Sequence, residues 1–126
     1  MSTLCTPRLA VAVALVLACI TPAVAHHSHG NYNMTEFTHL KGTVKEMHWL
    51  NPHSWIYLEV KDDKGQTEVW ALEGANVPQL RRRGWTEGSI KAGDAISVRC
   101  HQLRDKTNGC LLGFVTLKDG LEKIFD

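Results

Sequence analysis

Residues 53–60 alternate without interruption. Ile56, Leu58 and Val60 fall on one side, and His53, Trp55, Tyr57 and Glu59 on the other. A β-strand sends successive side chains to opposite faces, so this run reads as a strand with one buried face. Its neighbours follow the same logic. Residues 37–49 form a long first strand carrying Phe37, Leu40, Val44, Met47 and Trp49 among Thr and Lys. Gly42 within it predicts a bulge or sharp bend, because glycine inside a strand weakens side-chain packing and tolerates close backbone approach. Leu50-Asn51-Pro52 is a turn. Asp62-Asp63-Lys64-Gly65 supplies a hairpin turn into a third strand over residues 66–73.

Gly74 closes that strand. Asn76-Val77-Pro78 starts a short helix, where proline is tolerated in the first turn, and Gly84 stops it after Arg81-Arg82-Arg83. A turn at residues 91–94 leads to a strand over 95–102, with Ile96, Val98 and Cys100 on one face. A further strand covers 110–117, and a short terminal one covers 122–125. Three strands, a helix and two strands predict an all-β fold with one short helix. The expected architecture is a small five-stranded OB-like Greek-key barrel over residues 37–126, with another small barrel or a sandwich as the alternative. Trp85 is expected to plug a barrel end.

The first 25 residues are set apart from the fold. Arg8 precedes an uncharged apolar run over residues 9–20, and Ala23-Val24-Ala25 ends it with small residues. This is the pattern of a secretory signal peptide, and a periplasmic or secreted location is expected. A membrane span needs roughly 20 apolar residues, so the run is too short. Cys19 opens a competing lipoprotein-type processing site. Cleavage after Ala25 would leave 101 of the 126 residues and start the chain at His26. Arg8 is the one cation lost, so 13 basic residues would face 13 acidic ones. That balance offers no field for nucleic acid. Cys100 and Cys110 would remain, and a pair in an exported chain reads as a disulfide. Closing so short a loop contributes about 2–3 kcal/mol.

Six of the seven histidines precede residue 54. His26, His27 and His29 lie in a polar segment, residues 26–36, that reads as a flexible arm. A chain beginning at His26 presents an amine and an imidazole together, and neutral imidazole suits zinc, copper and nickel. His26 is the anchor of the expected metal site, with His27 and His53 as first partners and His48 and His29 as reserves. Copper(II) is favoured and zinc is the second choice, since no Cys-rich zinc spacing is present. The competing readings are a solvated arm that binds metals adventitiously, and no metal role at all.

Trp55 and Tyr57 project outward on the strand-two face, a usual ligand face of OB barrels, unless the arm or the helix covers them. Arg81, Arg82 and Arg83 suit the helix C-terminus electrostatically. No Gly-rich phosphate loop, nucleophile elbow or His-Glu-x-x-His helix is present, so nothing supports an enzyme. The expected function is non-enzymatic transition-metal binding at the cell envelope, where an envelope protein is a further candidate partner. The alternative is a metal-free module that binds a small ligand or a protein through Trp55 and Tyr57.

Three sets of residues carry a family resemblance. They are His26-His27-Ser28; Leu40-Lys41-Gly42-Thr43-Val44 with Trp49 to Ile56; and Trp70-Ala71-Leu72-Glu73-Gly74 with Arg82 to Thr86 and Lys91 to Asp94. Together they resemble the exported bacterial family catalogued as domain of unknown function 6152. The resemblance implies an exported single-domain β protein whose mature chain starts near His-His-Ser, and it implies no activity. The cysteine pair and His29 are not part of that pattern.

Overall fold

A computed structural model describes residues 28–126. A 3-10 turn (Ser28–Asn31) leads to β1 (Thr38–His48), β2 (Trp55–Lys61) and β3 (Thr67–Glu73). Helix α1 (Val77–Arg82) follows, then β4 (Ala95–Gln102), β5 (Gly109–Thr116) and β6 (Glu122–Ile124). The strands hydrogen-bond in the order β3-β2-β1-β4-β5-β6. A parallel pairing of β3 with β5, through Ala71–Gly109, Leu72–Cys110 and Glu73–Leu111, closes the first five into a barrel. A closed five-stranded barrel with a helix between β3 and β4 is the predicted OB-type architecture.

The barrel closes because β1 serves two partners. Thr38 to Thr43 pair with β4, and Thr43 to His48 pair with β2. Gly42 stands at the changeover, where a Cβ would collide with the carbonyl of Glu59. The irregularity in pairing falls between Val44 and Glu46, a few residues beyond the expected position. Gly42 therefore answers a close backbone approach, and the bulge lies where β1 pairs β2 alone.

The predicted alternation fills the interior. Ile56, Leu58, Leu72, Val98, Cys100, Cys110, Leu112 and Val115 are buried in one core. Each large aliphatic side chain of this kind contributes about 1.5–3 kcal/mol. Cys100 and Cys110 form the expected disulfide, with Cα atoms 5.6 Å apart. Trp85 fills the helix end of the barrel. It packs edge-on against Phe125 at 5.0 Å, and its indole N–H donates to the Ile124 carbonyl at 2.7 Å. Helix α1 is capped at its start and stopped by a glycine at its end. The Asn76 side chain accepts from Gln79 N–H at 2.9 Å, and Gly84 takes φ 81° just beyond the end.

One expectation is corrected. From Ser28 onward, the segment read as a flexible arm is docked on the barrel. Tyr32 is 5% exposed and forms a β-bridge with Leu103. Asn33 N–H donates to the Gln102 carbonyl at 2.8 Å, and Arg104 N–H to the Asn31 carbonyl at 2.9 Å. The ring of His101 is bonded to the carbonyls of Asn33 and Glu36, and it stacks on Phe37. Polar composition suggested solvation, but here backbone pairing and one buried aromatic hold the segment in place.

Candidate functional site

The turn between β1 and β2 sets His53. Asn51 Oδ1 accepts from Val77 N–H at 2.9 Å, tying the turn to the start of α1. Buried Ser54 is clamped on both sides: its N–H donates to the Ala75 carbonyl at 3.1 Å, and its carbonyl accepts from Gly74 N–H at 2.8 Å. His53 therefore leaves a fixed backbone just ahead of β2.

Its ring is fixed as well. Nδ1 lies 3.3 Å from the Gly74 carbonyl and 3.1 Å from Glu73 Oε1. A carbonyl oxygen and a carboxylate oxygen can only accept, so Nδ1 carries the proton. In the neutral ring the lone pair then resides on Nε2. This is the arrangement that orients metal-binding histidines elsewhere: one ring nitrogen donates to a carboxylate or carbonyl, and the other keeps its basicity.

Glu73 is buried at 4% exposure, although it sits on a strand face that looks away from the core. Tyr32 covers it and donates its phenol O–H to Glu73 Oε2 at 2.5 Å. Burial first, and then the hydrogen bond to and charge of Glu73, push the Tyr32 phenol well above its ordinary value of 10.0. It stays neutral and serves as a donor.

His29 and His53 line one pocket of about 470 Å³, together with Pro52, Asn76, Gln79, Arg83 and Asp126. Of the expected metal ligands, the fold brings these two to a common space. His26 and His27 lie outside the described residues. His48 is not brought to this pocket. It lines a separate cleft with Lys45, Trp49, Leu50, Glu87 and Lys91, and its Nε2 meets Glu46 at 2.9 Å. His48 is paired opposite Trp55 and packs on Tyr57, whereas His53 precedes β2 and its ring is turned to Glu73 and the Gly74 carbonyl. Among the described residues, no three His, Cys, Asp or Glu side chains form a metal-holding group.

Trp55 and Tyr57 alternate with buried Ile56 and are themselves half-buried. Tyr57 meets the His48 ring edge-on at 5.0 Å. Met47 packs against the core, while Met34 is exposed. Arg81, Arg82 and Arg83 are all exposed. No helix among the described residues is long and apolar enough to cross a membrane.

Sequence reasoning missed Glu73 and Tyr32. Each left a trace: a carboxylate ending an apolar strand run, and the one aromatic residue in a polar segment.

The fold defines a small OB-type barrel with a disulfide. The family model for the family of unknown function DUF6152 matches residues 13–112, so the chain belongs to that family. No curated protein matches the sequence. Among solved structures, the mitochondrial single-stranded DNA-binding protein Rim1 from S. cerevisiae is similar at 14% identity and a TM-score of 0.48. That similarity covers 66% of this chain and 95% of that one. The strand order, not this likeness, establishes the barrel.

Proposed function

We propose that this is an exported, non-enzymatic metal-binding barrel. It takes a transition metal, copper(II) ahead of zinc, through His53 and His29, completed by His26 and His27. The observation that carries the reading is the setting of the His53 ring: Nδ1 faces two acceptors, which favours the proton there and the lone pair on Nε2, and His53 and His29 line one pocket.

The rest of the reading comes from the sequence. Cleavage after Ala25 converts His26 into a chelating terminus. The α-amine titrates near 8, so a metal displaces its proton at low cost. His26 would then supply two nitrogens, and His53 and His29 imidazoles from the folded body. Nitrogen donors of this kind favour copper(II) over the other divalent ions. A role in metal carriage or buffering at the envelope follows from that chemistry and from export.

The test is a copper(II) titration of the chain beginning at His26. It is compared with the same chain bearing one extra residue ahead of His26, and with His53→Ala. Sub-micromolar binding that weakens at least tenfold in both altered chains supports the site. Equal, weak binding in all three overturns it and puts the metal-free module, with its Trp55 and Tyr57 face, ahead.

A further inference from the structure

Glu73 uses its two oxygens on two different parts of the chain. Oε1 faces the His53 ring on the barrel at 3.1 Å, and Oε2 receives the Tyr32 hydroxyl at 2.5 Å. Tyr32 belongs to the docked segment, three residues after His29, and its N–H donates to the His29 carbonyl at 3.2 Å. One buried carboxylate therefore bridges the histidine fixed to the barrel and the segment that carries the other histidines. Nothing in a β-barrel requires an acid at this place. A buried carboxylate without hydrogen-bond donors is costly, so its retention depends on those it has.

We infer that Tyr32 and Glu73 are positioning residues, and that they couple docking of residues 28–36 to the ligand state of His53. The inference rests on the metal reading above and adds its regulation. When Tyr32 is seated, Glu73 is held against Nδ1 and keeps the His53 lone pair on Nε2. When Tyr32 leaves, the carboxylate gains water and the His53 ring is left with the longer contact to the Gly74 carbonyl at 3.3 Å. Metal binding and docking of the segment then favour one another, and such coupling acts equally in both directions. Tyr32 and Glu73 act through the His53 ring and not as ligands.

Arg104 offers a second handle on the segment that leaves the carboxylate untouched. Its side-chain Nε donates to the Tyr32 carbonyl at 3.1 Å. Glu73→Gln offers a handle on the relay itself. An amide places an NH2 where one of the two carboxylate oxygens stands, so in this geometry it accepts from Tyr32 or from His53 but not from both.

The experiment uses the chain beginning at His26, with copper(II) as the probe. Affinity is measured for Tyr32→Phe, Glu73→Gln, Arg104→Ala and His53→Ala. Amide exchange over residues 29–36 is followed with and without the metal, and the His53 tautomer is read from ring nitrogen shifts in the metal-free protein. Tyr32→Phe and Glu73→Gln are expected to weaken copper about tenfold while thermal unfolding of the barrel stays cooperative. Arg104→Ala should weaken it less. Copper should slow exchange across the segment, and Glu73→Gln should lower the share of His53 rings that carry the proton on Nδ1, where the Gly74 carbonyl remains as an acceptor. Fold damage alone would not produce that tautomer change. If His53→Ala leaves copper affinity unchanged, the metal reading itself fails. If His53→Ala weakens copper while Tyr32→Phe does not, and segment exchange ignores the metal, the coupling is wrong and the metal site stands.

Discussion

His48 and His53 flank the same turn, and their side chains are equally exposed at 41%, each within 3.1 Å of a glutamate. The two surroundings differ in kind. The partner of His48 is Glu46, whose side chain is 54% exposed, on the same strand two residues away. The partner of His53 is Glu73, whose side chain is 6% exposed, brought from β3 and covered by Tyr32. An exposed pair is screened by water and contributes little. A buried carboxylate fixes the ring it faces, because it has no water to turn to. A histidine's chemical role here is set by the burial of its partner, which its own exposure does not report.

That contrast can be broken at several points. The largest effect should come from the carboxylates. Glu73→Ala strands the buried Tyr32 hydroxyl and removes the partner of His53, for a loss of about 2–3 kcal/mol in urea unfolding. Glu46→Ala should stay within about 0.5 kcal/mol. Equal losses would mean that burial of the partner does not separate the two regions.

Metal affinity sharpens the comparison next. His53→Ala should weaken copper(II) about tenfold or more, and His48→Ala should leave it within about twofold, as competition with a chromophoric chelator would show. A reversed order would move the site to the cleft beside Trp49.

The smallest effect concerns alkaline pH. The folded-state value of Tyr32 is raised above its ordinary 10.0. Its contribution is therefore complete below about pH 10 and is lost as pH climbs toward the raised value. Stability followed by tryptophan fluorescence should fall along that range, and Tyr32→Phe should flatten the fall.

Much of the scaffold was legible in local residues. The alternation at residues 53–60, the Asn76 cap, the Gly84 stop and the Cys100–Cys110 pair each act over a short stretch of chain. Of the bulge or sharp bend expected at Gly42, the bulge falls further on, between Val44 and Glu46, because Gly42 answers a close approach that depends on where Glu59 passes. The candidate site was half legible. His53 and His29 stood out as imidazoles, but nothing nearby showed that they share a pocket while His48 does not.

By itself the sequence determined a β-barrel with a helical insertion, a cross-strand disulfide and a histidine-rich leading segment, because periodicity, caps and turns are short-range effects. Only the tertiary structure decided that Glu73 is buried, that Tyr32 covers it and that His53 turns Nδ1 toward Glu73 and the Gly74 carbonyl. The Tyr32–Glu73 contact joins residues 41 positions apart and the His53–Gly74 contact residues 21 apart, and their energetics come from water excluded when the leading segment docks on the barrel.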